Sequence, residues 1–309
     1  MSVTLIAAVV ALVLGHLAPS LAASVRHYGW YGDWLRWLGS RFPADSVWHR
    51  RWGIVLALVP PLLAVGLFQL ALAEPLFGLA GLLFGIAVLF YAWGPRDLDL
   101  DVDAIADARD PLSRREAAAR LWPDGATPSL EGGALVGAVF RSALRRWFGV
   151  LFWFLLLGPL GALLYRLAAL SAEGDNGRSL PSDTATGART LLSILDWPVA
   201  QLMTLALALV GNFDLVLGAW RESGGASFSL DNRFLGAVAR ASVRGELAEE
   251  AADDADERVD AHAVGAGASL AAAVAPEMPE LRDAMSLVWR SLLVWLAVLA
   301  LFVIAGFVS

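Results

Sequence analysis

Long charge-free stretches dominate this chain and narrow the folds open to it more than any other feature. A helix needs roughly 20 apolar residues to cross a hydrocarbon core of about 30 Å, and six stretches approach that length. Val3 to Ala23 carries no charge, Ile54 to Ala73 is uncharged but holds Pro60 and Pro61, and Pro75 to Trp93 is uncharged. Trp147 to Leu170 is apolar until Arg166, Leu191 to Trp220 holds Asp196 and Asp214, and Leu287 to Val308 holds only Arg290. The 309 residues are 58% hydrophobic and 17% charged, whereas an ordinary soluble domain is about half apolar and a quarter charged. The expected fold is therefore all-α: a polytopic helical membrane protein with about six membrane segments and a helical cytoplasmic layer. Trp52, Trp93, Trp147, Trp220 and Trp289 fall at segment edges, where an aromatic belt is expected at the lipid interface.

Arginine placement gives the expected orientation. Arg26, Arg36, Arg41, Arg50 and Arg51 lie between the first two segments, and Arg96, Arg109, Arg114, Arg115, Arg120, Arg141, Arg145 and Arg146 follow the third. By the positive-inside rule both pieces are cytoplasmic, and the Arg-poor loop Ser171 to Thr190 is external. Five units follow. Residues 1–94 hold three membrane segments with an amphipathic cytoplasmic connection, and 95–146 form a cytoplasmic helical segment. Residues 147–220 carry two membrane segments with an external loop, 221–284 a cytoplasmic helix and flexible acidic linker, and 285–309 a C-terminal membrane helix. Helix is expected over Ala104 to Leu121, and over Ser229 to Ala248 with a cap at Ser229 or Asp231. The Ala- and Gly-rich stretch 261–276 is expected to be mobile.

Composition removes several chemistries. Without Cys there is no thiolate metal site and no cysteine nucleophile. All 23 basic residues are Arg, so a P-loop or Schiff-base lysine is excluded as well. The net charge of −7 argues against a nucleic-acid partner. His16, His27, His49 and His262 show no zinc-ligand spacing. The partners that remain are the lipid bilayer, a small ligand or another protein.

Two polar features stand out. Asp97, Asp99, Asp101, Asp103, Asp107 and Asp110 follow Gly94-Pro95-Arg96 at the mouth of the third segment. In one helix Asp99, Asp103, Asp107 and Asp110 would share a face whose repulsion Mg²⁺ could relieve, the alternative being a solvated acidic face. Asp196 lies in an apolar segment directly before Trp197-Pro198. It is either an intramembrane carboxylate facing a cavity or the cap of a helix starting there. Tyr165 and Arg166 are either part of a site or interfacial anchors.

Two motifs carry a resemblance. Phe152-Trp153-Phe154 followed by Gly158-Pro159-Leu160-Gly161-Ala162-Leu163-Leu164-Tyr165-Arg166 resembles a segment of the CobD/CbiB superfamily. Leu195-Asp196-Trp197-Pro198 with Leu202, the Gly94-Pro95-Arg96-Asp97-Leu98 mouth and the acidic stretch after it resemble the AmpE branch of that superfamily. Where the cobalamin branch has a Glu-Asn pair, an Asn after Tyr-Arg and an Arg after the next Pro, this chain has Arg145-Arg146, Ala168-Ala169 and Gln201. The resemblance implies a multi-pass bacterial inner-membrane regulator of β-lactamase induction, linked to cell-wall recycling. Such a regulator would bind a small ligand or a cell-wall-recycling partner protein at its cytoplasmic face. The alternatives are a metal-dependent membrane enzyme of the cobinamide-phosphate synthase type and a transporter. The implied ligand residues are Arg96, Asp97, Asp196, Trp153, Tyr165 and Arg166, with Asp99, Asp103 and Asp107 as the metal set. Arg96, Asp97, Asp99, Asp103 and Asp196 are expected to line one water-filled cavity open to the cytoplasm.

Overall fold

The computed structural model describes residues 2–17, 24–43, 45–72, 78–94, 97–122, 126–227, 230–263 and 278–305. Every regular element among them is helical. In chain order they are α1 (Ser2–Leu17), α2 (Gly29–Arg41), α3 (Ile54–Ala71), α4 (Gly78–Ala92), α5 (Leu98–Ala106), α6 (Pro111–Ala119) and α7 (Gly132–Ala143). A π-helical turn, Leu144–Phe148, joins α7 to α8 (Gly149–Leu157). Then come α9 (Pro159–Ala172), α10 (Gly174–Ser179), α11 (Ser182–Val210), α12 (Phe213–Glu222), α13 (Arg233–Ala263) and α14 (Pro279–Ile304).

Among the described residues three helices are long and apolar enough to cross a membrane: α3, α11 and the Pro279–Leu301 part of α14. At 1.5 Å per residue they reach about 27, 43 and 35 Å. Gly78–Ala92 and Pro159–Ala172 are apolar but shorter.

The apolar stretch from Trp147 to Leu170, expected as one membrane segment, is a helical hairpin instead. Gly158 has φ 68°, a left-handed backbone that a side chain disfavours, and Pro159 starts the return helix with its φ already set. The two arms pack so closely that a Cβ on Gly149 would lie 2.1 Å from Cζ of Tyr165. At the tip, the Gln69 side chain donates to the carbonyl of Leu157 (3.2 Å) and accepts from the amide of Leu160 (3.0 Å). Backbone groups freed by a break in apolar surroundings need such partners.

This hairpin gives the molecule two unlike ends. The tip at Gly158 lies beside the end of α3, and Gly81 near the start of α4 sits against the Leu72 carbonyl. Leu63, Leu67, Phe68, Leu70, Leu79, Leu83, Leu156 and Leu157 are exposed there. At the opposite end α4 finishes beside the π turn, with the Gly94 amide donating to the Arg146 carbonyl at 3.1 Å. Arg26 donates to the carbonyls of Phe90 and Gly94, and Arg166 to that of Ala92, so two guanidinium groups take the orphan carbonyls at the C-terminus of α4. The polar end therefore holds both the chain entering the hairpin and the chain leaving it. Residues 171–179, expected on the far side from Arg145, lie beside it.

The remaining helices also depart from expectation in places. Pro60 and Pro61 continue α3; Pro61 leaves the Ala57 carbonyl without its helical donor, and the Trp34 indole of α2 supplies one at 3.1 Å. The Ala104 to Leu121 stretch is two helices, because Asp107 ends α5 and Asp110 caps α6 by accepting from the amides of Leu112 and Ser113. Helix α13 starts at Arg233, whose amide donates to Asp231, and runs through the acidic stretch to Ala263. Ser229 and residues 264–277, which include most of the stretch expected to be mobile, lie outside the described residues. Of the expected aromatic belt, Trp52 is exposed, whereas Trp93 and Trp147 are buried and Trp147 packs on Trp289 with ring centroids 5.1 Å apart.

Candidate functional site

Three cavities at the polar end share one wall, formed by Arg141 at the end of α7 and Arg145 on the π turn. The first, of about 740 Å³, adds Tyr28, Arg36, Arg120, Arg146, Arg166 and Glu173. The second, of about 780 Å³, adds Arg178, Arg189 and Ser193. The third, of about 810 Å³, adds Asp196, Asp231, Asn232, Arg233 and Arg240. Together they form an arginine-lined basin on a chain that is acidic overall.

The local helix geometry explains how these groups converge. A π turn widens the helix by one residue and re-aims the side chains on it, and here it carries Arg145 and Arg146. Arg145 forms an ion pair with Glu173 and reaches Asp196 of α11 at 3.5 Å. Arg146 turns to α5, donating to Asp101 at 2.6 Å and to the Arg120 carbonyl at 2.9 Å. Asp101 is 1% exposed and also faces Arg120 at 3.8 Å.

Behind this wall lies a buried polar pair. Asp196 is 1% exposed and accepts a hydrogen bond from the Tyr165 hydroxyl at 2.6 Å. The Trp153 indole donates to the neighbouring Leu195 carbonyl at 3.1 Å, tying α8 to α11. Asp196 sits in the middle of α11, not at its start, so the expected alternative of a helix cap falls away. Arg166 is 4% exposed and its hydrogen bonds go to carbonyls, those of Ala92 and Arg145.

The sequence-based candidates divide into groups. Asp196, Tyr165 and Arg166 come together with Arg145, and Trp153 supports them from α8. Asp97 and Asp99 lie elsewhere, at a small cleft of about 30 Å³ shared with Arg26, Trp147 and Trp289. Asp97 caps α5 by accepting from the Asp99 amide, and Asp99 accepts from the Trp289 indole at 2.9 Å. Asp103 and Asp107 are exposed, and the end of α5 at Ala106 breaks the expected acidic face. Among the described residues no three acidic or histidine side chains converge on a point, so the Asp99, Asp103 and Asp107 set does not fit Mg²⁺. Arg96 lies outside the described residues. The single cavity expected to hold Asp97, Asp99, Asp103 and Asp196 is thus replaced by separate places.

Arg141 differs from the other arginines of the basin wall in its partners. It borders all three cavities and has no carboxylate partner among the described residues. Desolvation in the basin wall, and then the charge of Arg145, pull its pKa below the ordinary arginine value. In the first cavity burial pushes the Tyr28 phenol up to about 12, against the opposing pull of Arg166. Arg145, Arg146, Asp101 and Glu173 were not singled out by sequence reasoning as site residues. The only signal for them is the Arg145-Arg146 pair beside an apolar run.

An all-helical protein with apolar helices long enough to cross a membrane and a basin of arginines at one end is the class these features define. Comparison with family models, with curated proteins and with solved structures finds no match for this chain.

Proposed function

We propose that this chain is a multi-pass inner-membrane regulatory protein of the AmpE type that binds an anionic small ligand in the arginine basin. The observation that carries the ligand reading is Arg141, a guanidinium without a partner among the described residues, common to three cavities and repelled by Arg145. An anion there would relieve that repulsion, and the surrounding carboxylates are already engaged by other arginines. The regulatory part rests on the resemblance of Leu195-Asp196-Trp197-Pro198 and of the Phe152-to-Arg166 run. By the positive-inside rule the basin opens to the cytoplasm, and the Gly158 hairpin returns the chain to that side.

The test uses the host cell. Removing the protein should change β-lactamase induction by a β-lactam, and the wild-type chain should restore the response while Arg141→Gln should not. An induction profile that is the same with and without the protein would overturn the regulatory reading.

A further inference from the structure

The first cavity fixes the charge and shape of the group it accepts. Arg36 is paired with Asp33, Arg120 and Arg146 share Asp101, and Arg145 is held by Glu173 and Asp196. Arg141 and Arg166 are left over: the first has no partner among the described residues, and the second bonds only to carbonyls. Two uncompensated guanidinium charges therefore face one space of about 740 Å³.

The arginines also approach from different elements: Arg141 from α7, Arg145 and Arg146 from the π turn, and Arg166 from α9. A carboxylate is planar, carries one charge and presents its two oxygens in a single plane. A phosphate carries a charge near −2 at neutral pH and presents three terminal oxygens in three directions. Guanidinium groups converging from several helices match the second geometry. We propose that the first cavity is a phosphate or diphosphate subsite, with Arg141 and Arg166 supplying the charge that the carboxylates leave uncompensated. This rests on the basin being a ligand site. The cavity is far larger than a bare phosphate, so the phosphate anchors a larger molecule whose remainder lies in the adjoining cavities.

The same chemistry is offered by a free phosphorylated metabolite and by a lipid phosphate, and the polar end adjoins the helices read as spanning the bilayer. The test separates them. Full-length protein is placed in phosphatidylcholine nanodiscs and its binding of radiolabelled pyrophosphate is measured at constant ionic strength, with citrate as a carboxylate competitor. Saturable binding that citrate displaces only weakly is expected. Arg141→Gln should weaken it about ten- to hundredfold, as loss of a charge-assisted contact does, and Arg115→Gln, at an exposed arginine outside the cavities, should leave it unchanged. Arg141 has no partner among the described residues, so a melting profile of the unliganded variant equal to wild type shows that folding is intact. Competition by phosphatidic acid added to the discs would assign the subsite to a lipid phosphate, and its absence to a free one. Citrate binding as tight as pyrophosphate would overturn the phosphate subsite and leave the anion basin standing. Binding of neither anion, or binding indifferent to Arg141→Gln, would overturn both.

Discussion

Tyr165 and Asp196 form a buried donor and acceptor whose two halves should respond unequally to removal. Tyr165→Phe deletes only the hydroxyl, so packing against Gly149 is retained while one carboxylate oxygen of Asp196 loses a 2.6 Å donor. The remaining contact to that carboxylate, from Arg145, is long at 3.5 Å and is shared with Glu173. A hydrogen bond to a charged group is worth about 1.5–3 kcal/mol, and a buried acceptor left without its donor loses that in full; a loss of about 2 kcal/mol is expected. Asp196→Asn is milder. Its amide oxygen still accepts from Tyr165, Arg145 keeps Glu173, and removing a buried charge recovers part of its desolvation, so the expected change is within about 1 kcal/mol. In the double variant the neutral amide loses its donor without a stranded charge, so its cost should fall below that of Tyr165→Phe alone, a coupling that additive sites do not show. Equilibrium unfolding of the four proteins in mixed micelles measures the cycle. Equal costs for the two single variants, or strict additivity, would refute the reading of Asp196 as a buried carboxylate satisfied mainly by Tyr165.

Other consequences follow from the hairpin and from α13. In this Cys-free chain, single cysteines at Ala119 and Ser182 should react with an impermeant thiol reagent from the same side of the membrane, because the Gly158 hairpin returns the chain to its starting end; labelling from opposite sides would show that the stretch crosses. Gln69→Leu should cost about 1–3 kcal/mol in the same unfolding assay by stranding the Leu157 carbonyl and the Leu160 amide; an unchanged unfolding curve would count against the clasp. Glu246 on α13 has its pKa raised, chiefly by burial and further by Asp283, against the pull of Arg290. A carboxyl whose folded pKa is raised favours the folded state at low pH and loses that contribution as pH rises through the folded pKa. Glu246 should therefore contribute more stability on acidification from neutrality toward the carboxylate range, and relative to wild type Glu246→Gln should remove that contribution from the profile while raising stability at pH 7; a variant less stable than wild type at pH 7 would contradict the sign.

The helical class was legible because apolar runs of this length leave few alternatives; α3 follows its run closely, while α14 starts at Pro279, eight residues before its run. Within the fourth run the decisive element is two residues long. Gly158-Pro159 is a turn signal, but hydropathy averaged over more than twenty apolar residues outweighs it. What makes the break tolerable is Gln69, a residue far away in sequence that satisfies the freed backbone groups. No local pattern announces that pairing. A similar limit applies to the acidic stretch: alternate aspartates look alike in sequence, yet Asp101 is buried against Arg146 whereas Asp103 is exposed. Its burial follows from α5 packing on α6, α7 and α14 with Arg146 reaching over from the π turn, a geometry that the residues of α5 alone do not encode.

The site itself was legible where a polar residue interrupts an apolar run and hidden where it sits among other charges. Asp196, Tyr165 and Arg166 belong to the first kind, since burial of such groups demands partners and so marks them as connected. Arg141, Arg145 and Arg146 belong to the second, and in a chain whose basic residues are all arginine their type carries no information. What distinguishes Arg141 is the lack of a partner among the described residues, a property of the assembled basin. The π turn supplies the link between the two kinds: it sends Arg145 toward Asp196 and Arg146 toward Asp101, leaving Arg141 one turn earlier facing open space. If a residue deleted from that turn restored a regular α-helix, both ion pairs would lose their register together. Anion binding should then fall even though every arginine of the basin is retained.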